Sequence, residues 1–137
     1  MNRLLVVLLI VVTTLLTACQ SGGGSSQPTD PAAVMDAYTA AINAHDVEGA
    51  LSYVADNAVY HRPAGDFNGK EEVRGFIEGL VARNVKVELI GERTVDGERV
   101  SWQSHVTLEN PAQEITNNSE SIVRDGKIVM HSAQAAQ

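Results

Sequence analysis

Helical and strand periodicities occupy separate stretches of this sequence, and that segregation predicts an α+β fold: three N-terminal helices packed on a strongly curved, mostly antiparallel sheet. Two observations carry the expectation. Apolar residues recur at spacings of three and four through most of residues 31–81, whereas from Val85 onward they alternate with polar ones. The turn dipeptides Asp96-Gly97, Asn110-Pro111 and Asp125-Gly126 then divide the alternating part into the four strands of a meander. No period of roughly 20 to 50 residues repeats, which excludes a solenoid.

Each element has its own signal. Asp30 is a good N-cap and Pro31 suits the first helical position, so a helix is expected from about Pro31 to His45, with Val34, Ala37, Tyr38, Ala41, Ile42 and His45 along one face. Asp46 caps a shorter helix whose Val47, Ala50, Leu51 and Val54 share a face, and Asp56-Asn57 ends it as a turn. A short strand, Ala58 to Arg62, stops at Pro63, and Ala64 to Asn68 reads as a loop. Val73, Phe76, Ile77, Leu80 and Val81 mark the third helix. Its Gly75 and Gly79 form a G-x-x-x-G spacing, but Glu71, Glu72, Arg74 and Glu78 rule out a membrane helix, leaving close packing on the sheet or an exposed face as the cause. Strands follow from Val85, from Glu98 to Glu109, from Gln113 to Arg124, and from Lys127 to about Gln134. In the second of these, Val100, Trp102, Val106 and Leu108 share one face, and Ser101, Gln103, His105 and Thr107 the other. A single bulge would reverse which set faces inward, so the apolar set is either the wall of a pocket or an outward surface for a homodimer.

The start of the chain has a different character. Arg3 precedes an almost wholly apolar run from Leu4 to Leu16, and Thr17-Ala18 then leads into the only cysteine, Cys19. The run is too short to span a bilayer, which takes about 20 apolar residues. Leu16-Thr17-Ala18-Cys19 resembles the lipobox of bacterial lipoproteins, which implies cleavage before Cys19 and its modification with diacylglycerol and a fatty acyl chain such as palmitate. Ser21 to Pro28 has the composition of a flexible tether. The expected organisation is a signal peptide over 1–18, acylated Cys19 and linker over 19–29, and one domain over 30–137. Gln20 is not the Asp that tends to retain lipoproteins at an inner membrane, so the expected location is the extracytoplasmic surface of the cell membrane or an outer membrane. With 10 Lys+Arg against 17 Asp+Glu the formal charge is −7, and losing Arg3 makes the processed chain more negative still. Such a surface repels nucleic acid, and no basic cluster interrupts it.

The order of elements, together with Asp46-Val47-Glu48-Gly49-Ala50-Leu51, Val59-Tyr60-His61-Arg62-Pro63, Gly69-Lys70-Glu71-Glu72-Val73 and Asp125-Gly126-Lys127-Ile128, resembles the SnoaL-like branch of the nuclear transport factor 2-like superfamily. The resemblance implies a cone, in which a bent sheet wraps the long first helix and an apolar pocket opens at one end. Members include polyketide cyclases, ketosteroid isomerases, epoxide hydrolases, dehydratases and non-catalytic binding modules. The enzymes work without metal or cofactor, using a carboxylate as acid or base and sometimes a tyrosine as oxyanion donor. Tyr38 has the spacing of that tyrosine, eight positions before Asp46. The residue before Pro63, an Asp in the isomerases and many cyclase-like members, is Arg62 here, which argues against catalysis. Glu120 approximates an acid of the cyclase-like members, although one residue of gap would move that match to Ser119. Met130-His131-Ser132 stands where the family often reads Glu-His-Trp, so the His is kept and its neighbours are not.

The candidate residues follow from both readings. Tyr38 can be a core aromatic and a ligand contact at once, since a buried Tyr offers an apolar body and a polar tip. Arg62 in an apolar cone needs a carboxylate, and Glu120 is its natural partner, either inside or as a solvated pair on the rim. An internal pair would suit an anionic or polar-headed ligand with Arg62 as the fork. His131 is the leading candidate for a pocket acid or base, with Glu120 and Tyr38 beside it. Tyr60, Trp102 and His105 complete the expected ligand-binding set. His61, His105 and His131 fall on three strands and do not suggest a metal site, and no cofactor is expected. The function that fits is a membrane-anchored, exported domain binding a small, mostly apolar molecule in its cone. The alternatives are a cofactor-free isomerase, cyclase or hydrolase, or a protein-interaction module using the convex sheet face.

Overall fold

A computed structural model describes residues 26–137; Cys19 and the whole expected signal peptide lie outside them. The elements are α1 (Pro31–Asn43), α2 (Val47–Leu51), β1 (Val54–Arg62), β2 (Gly65–Asn68), α3 (Lys70–Ala82), β3 (Lys86–Asp96), β4 (Arg99–Glu109), β5 (Ala112–Arg124) and β6 (Lys127–Ala135). The six strands form one sheet in the order β2-β1-β6-β5-β4-β3. All neighbours are antiparallel except β1 and β6, which run parallel.

The caps form as the sequence requires. The Asp30 side chain accepts from the Ala33 amide at 2.9 Å to start α1, and Asp46 accepts from the Gly49 amide at 2.9 Å to start α2. Two expectations are corrected between α2 and α3. Val54 is not on a helix face: the chain becomes extended there, and β1 carries Asp56 and Asn57 through a register shift against β6 rather than turning at them. Those two polar residues are exposed, which is why an irregular stretch of strand reads as a turn. The expected loop 64–68 contains β2, a four-residue edge strand folded back on β1, and Gly65, at φ 134°, makes the reversal. Helices and strands are therefore less cleanly segregated than expected, with two strands preceding α3 where one was expected.

Register shifts between Val54 and Val59, Ile90 and Thr94, and Ile122 and Val123 break the ladders at three places and help the sheet to curve. α1 packs across β3, β4 and β5, while α3 packs on β1 and β2. Val34, Met35, Tyr38 and Ile42 of α1 and Val73 and Ile77 of α3 meet Tyr60, Val100, Trp102, Leu108, Val123 and Ile128 in one core. Gly75 and Gly79 have open space where a side chain would go, so the G-x-x-x-G spacing lies on an exposed face.

The stretch ahead of α1 is tied to the domain. Gln27 Nε2 donates to Ser52 Oγ at 2.9 Å, and Lys127 Nζ donates to Gln27 Oε1 at 3.0 Å and also to the Ser52 carbonyl. Gly126, at φ 73°, lets the β5–β6 turn pass so close that an added Cβ would lie 2.9 Å from the Pro28 carbonyl oxygen. Among the described residues no helix is long and apolar enough to cross a membrane.

Candidate functional site

Between the sheet and helices α1 and α3 lies a cavity of about 340 Å³. Strand alternation selects its walls. The apolar face of β4 points inward, with Val100, Trp102 and Leu108 buried, while Gln103 is exposed on the other side; this decides the facing that the sequence left open. Cross-strand register then gathers the polar residues: His131 of β6 is opposite Tyr60 of β1 on one side and Ser121 of β5 on the other. Ser121 Oγ and His131 Nδ1 are hydrogen-bonded at 2.8 Å. Trp102 stacks on the imidazole, with centroids 5.7 Å apart and planes 13° from parallel.

Two residues on from Tyr60, Arg62 is on the same face of β1 and lines the cavity together with Tyr38 of α1, Phe76 of α3, Trp102 and His131. Its guanidinium lies 4.7 Å from the Phe76 ring centroid and 5.8 Å from that of Tyr60. One terminal nitrogen, Nη1, is buried without a hydrogen-bond partner, and Arg62 makes no ion pair among the described residues. The cavity lining contains no Asp or Glu. Arg83, also in the lining, meets neutral acceptors only: the carbonyls of Asn110 and Pro111 and the side-chain oxygen of Gln113.

Burial sets the protonation states. It holds the Tyr38 hydroxyl above the ordinary phenol range and the Tyr60 hydroxyl well above it, so both are neutral donors. Burial also pushes the His131 imidazole well below its ordinary range, and the nearby positive charge of Arg62 acts in the same direction. The ring is therefore neutral at pH 7. Arg62 itself is pulled down by burial, yet a guanidinium stays charged.

Five of the expected residues come together, and two do not. Tyr38, Arg62, Trp102 and His131 line the cavity, whereas Tyr60, at 0 % exposure, stands behind its wall with a hydroxyl that makes no well-formed hydrogen bond and has the Tyr38 hydroxyl as its polar neighbour. Glu120 lies on the outer face and pairs with Arg99, so the expected Arg62–Glu120 pair does not form. The cause is alternation along β5: Ser119 and Ser121 are buried, and Glu120 between them points away. Ser119, the other possible match to the family acid, is in the lining. His105 is on the outer side of β4, 3.9 Å from Glu114, and His61 is exposed and bonded to Asp66.

Arg93 is the residue that sequence reasoning missed. Its side chain is 5 % exposed, donates to Asp36 Oδ1 at 2.8 Å, and stands 4.6 Å over the Trp102 ring on the side chain's way to α1. It lies in the β3 irregularity between Ile90 and Thr94, and no periodicity signals an inward charge there. Phe76, read as helix core, is also part of the cavity wall.

The architecture and its internal cavity define a cone-shaped α+β domain of the nuclear transport factor 2-like type. The SnoaL-like domain family matches residues 35–131, and this chain belongs to that family. Among solved structures, it is similar to a nuclear transport factor 2-like protein of unknown function from Cytophaga hutchinsonii, at TM-score 0.69 and 14 % identity over 82 % of this chain and 94 % of that one. It is also similar to a protein from Sinorhizobium meliloti provisionally described as a polyketide cyclase, at TM-score 0.66 and 22 % identity, covering 74 % of this chain and 93 % of the other. An epoxide hydrolase from M. tuberculosis gives TM-score 0.68 and 16 % identity over 81 % and 86 % of the two chains. At these identities the likeness establishes the fold. No curated protein matches the chain.

Proposed function

We propose that this chain is an exported, lipid-anchored SnoaL-like domain that holds a small, mostly apolar molecule in its cone. The observation that carries the proposal is the cavity of about 340 Å³, walled by side chains such as Met35, Phe76, Leu80, Trp102, Val106 and Ile115. That volume falls in the range of small-molecule sites, roughly 300 to 1,000 Å³. Binding is favoured over acid–base catalysis because the lining has no carboxylate and His131 is a weak base next to a positive charge. The anchor rests on Arg3, the apolar run and Leu16-Thr17-Ala18-Cys19.

Two experiments test the two halves. Native mass spectrometry and thermal-shift screening of apolar metabolites should find a ligand that stabilises the wild type, and Val106→Trp, which fills the cavity, should abolish that stabilisation. Stabilisation of both proteins alike, or of neither, would overturn the cavity reading. Wild-type protein should incorporate labelled palmitate and partition with membranes, whereas Cys19→Ala should not incorporate it. A wild type that remains unlabelled and soluble would remove the anchor.

A further inference from the structure

We infer that the molecule held in the cone is a carboxylic acid with an apolar body, its carboxylate seated on Arg62. The inference rests on the cavity being a ligand site and names what that site selects.

Arg62 is a cation without a counter-charge. No carboxylate lines the cavity, and Glu120, the partner expected from the sequence, pairs with Arg99 on the outer face. What remains around the guanidinium is the faces of Phe76 and Tyr60, which attract a cation but accept none of its hydrogen bonds. The Arg62 side chain is only partly exposed, and its buried Nη1 has no acceptor, so that nitrogen carries an unmatched desolvation cost.

The rest of the polar lining selects the same partner. Tyr38 is a neutral hydroxyl donor, and Arg83 adds a second positive charge that has only neutral acceptors. A cationic ligand would face two guanidiniums with no carboxylate to receive it. A neutral apolar ligand would fill the cavity and leave Arg62 more desolvated than before. A carboxylate offers planar, paired acceptors that match the guanidinium fork, and its apolar body fits against Phe76, Leu80, Trp102 and Val106.

Isothermal titration of the full chain at pH 7.5 with 2-naphthoic acid and its neutral isostere 2-naphthamide tests this. The acid should bind the wild type about tenfold or more tightly than the amide. Arg62→Met should erase that preference by weakening the acid alone, and Arg62→Lys should restore part of it. Equal binding of the two probes to the wild type would overturn the inference while leaving the cavity reading intact. A preference for the acid that survives in Arg62→Met would also overturn it. Binding of neither probe would sink the cavity reading together with the inference. Should Arg62→Met fail to fold, the wild-type comparison still decides, supplemented by Arg62→Lys.

Discussion

Mild acid should destabilise this domain through His131 before the carboxylates titrate. The native imidazole is held well below its ordinary range by burial and by Arg62, whereas in the unfolded chain it titrates near 6.5. Between those two values the unfolded state binds a proton that the native state does not. Stability is therefore complete above about pH 6.5 and falls as the pH drops toward the native value. The slope approaches about 1.4 kcal/mol per pH unit, equivalent to roughly 5 to 8 °C in Tm for a domain of this size. Urea unfolding at half-unit steps from pH 7.5 to 5 would measure it. Glu48 and Glu98, which Arg74 and Arg124 hold below the usual carboxylate range, are exposed and titrate below that interval, so they contribute little there. In His131→Gln the amide can still meet Ser121 Oγ, and this part of the slope should vanish. An identical slope in the variant and the wild type would refute the argument, as would an NMR titration placing His131 near 6.5.

Three further substitutions probe the packing. Tyr60→Phe removes a buried hydroxyl whose one polar neighbour is the Tyr38 hydroxyl, without well-formed hydrogen-bond geometry between them, so stability should change by less than about 1 kcal/mol; a larger loss in chemical denaturation would show that the two hydroxyls are firmly bonded. Ile77→Ala, at a fully buried position of α3, should cost about 2 to 5 kcal/mol, and a cost under about 1 kcal/mol would mean that α3 is not firmly seated. Gly126→Ala adds a Cβ at φ 73° and only 2.9 Å from the Pro28 carbonyl oxygen, so it should cost on the order of 1 kcal/mol and loosen residues 27–29, read as faster proteolysis of that stretch; unchanged proteolysis would show that the contact is dispensable.

Where periodicity and capping agreed, the sequence was legible. α1, α3 and the strands of the meander each carry several matching signals, and the structure places their ends within a few residues of expectation. The failures share a physical cause, because each lies where backbone irregularity replaces pattern. Asp56 and Asn57 resemble a turn because the strand that bears them is locally exposed. β2 is too short and too exposed to show alternation. Arg93 points inward from a bulge, where alternation carries no information. At the site, Tyr38, Arg62, Trp102 and His131 were legible because each lies on a regular element or matches a family motif. Glu120 was misplaced because a shift of one residue along β5 exchanges inside for outside.

One substitution accounts for much of the site's chemistry. Apolar walls around a carboxylate raise its pKa and prepare it to take a proton, which is how the resemblance would have the position before Pro63 behave. The same walls around a guanidinium cannot make a base of it, since its charge persists across the accessible pH range. They instead raise the free energy of the unpaired cation, and an arriving anion lowers it again. The cation reaches further as well, because it opposes protonation of His131 and so weakens the remaining base. On the proposed reading, weaker proton transfer and stronger attraction for an anion would share one origin, Arg62 set beside Phe76 and Tyr60 in a cavity whose lining holds no carboxylate.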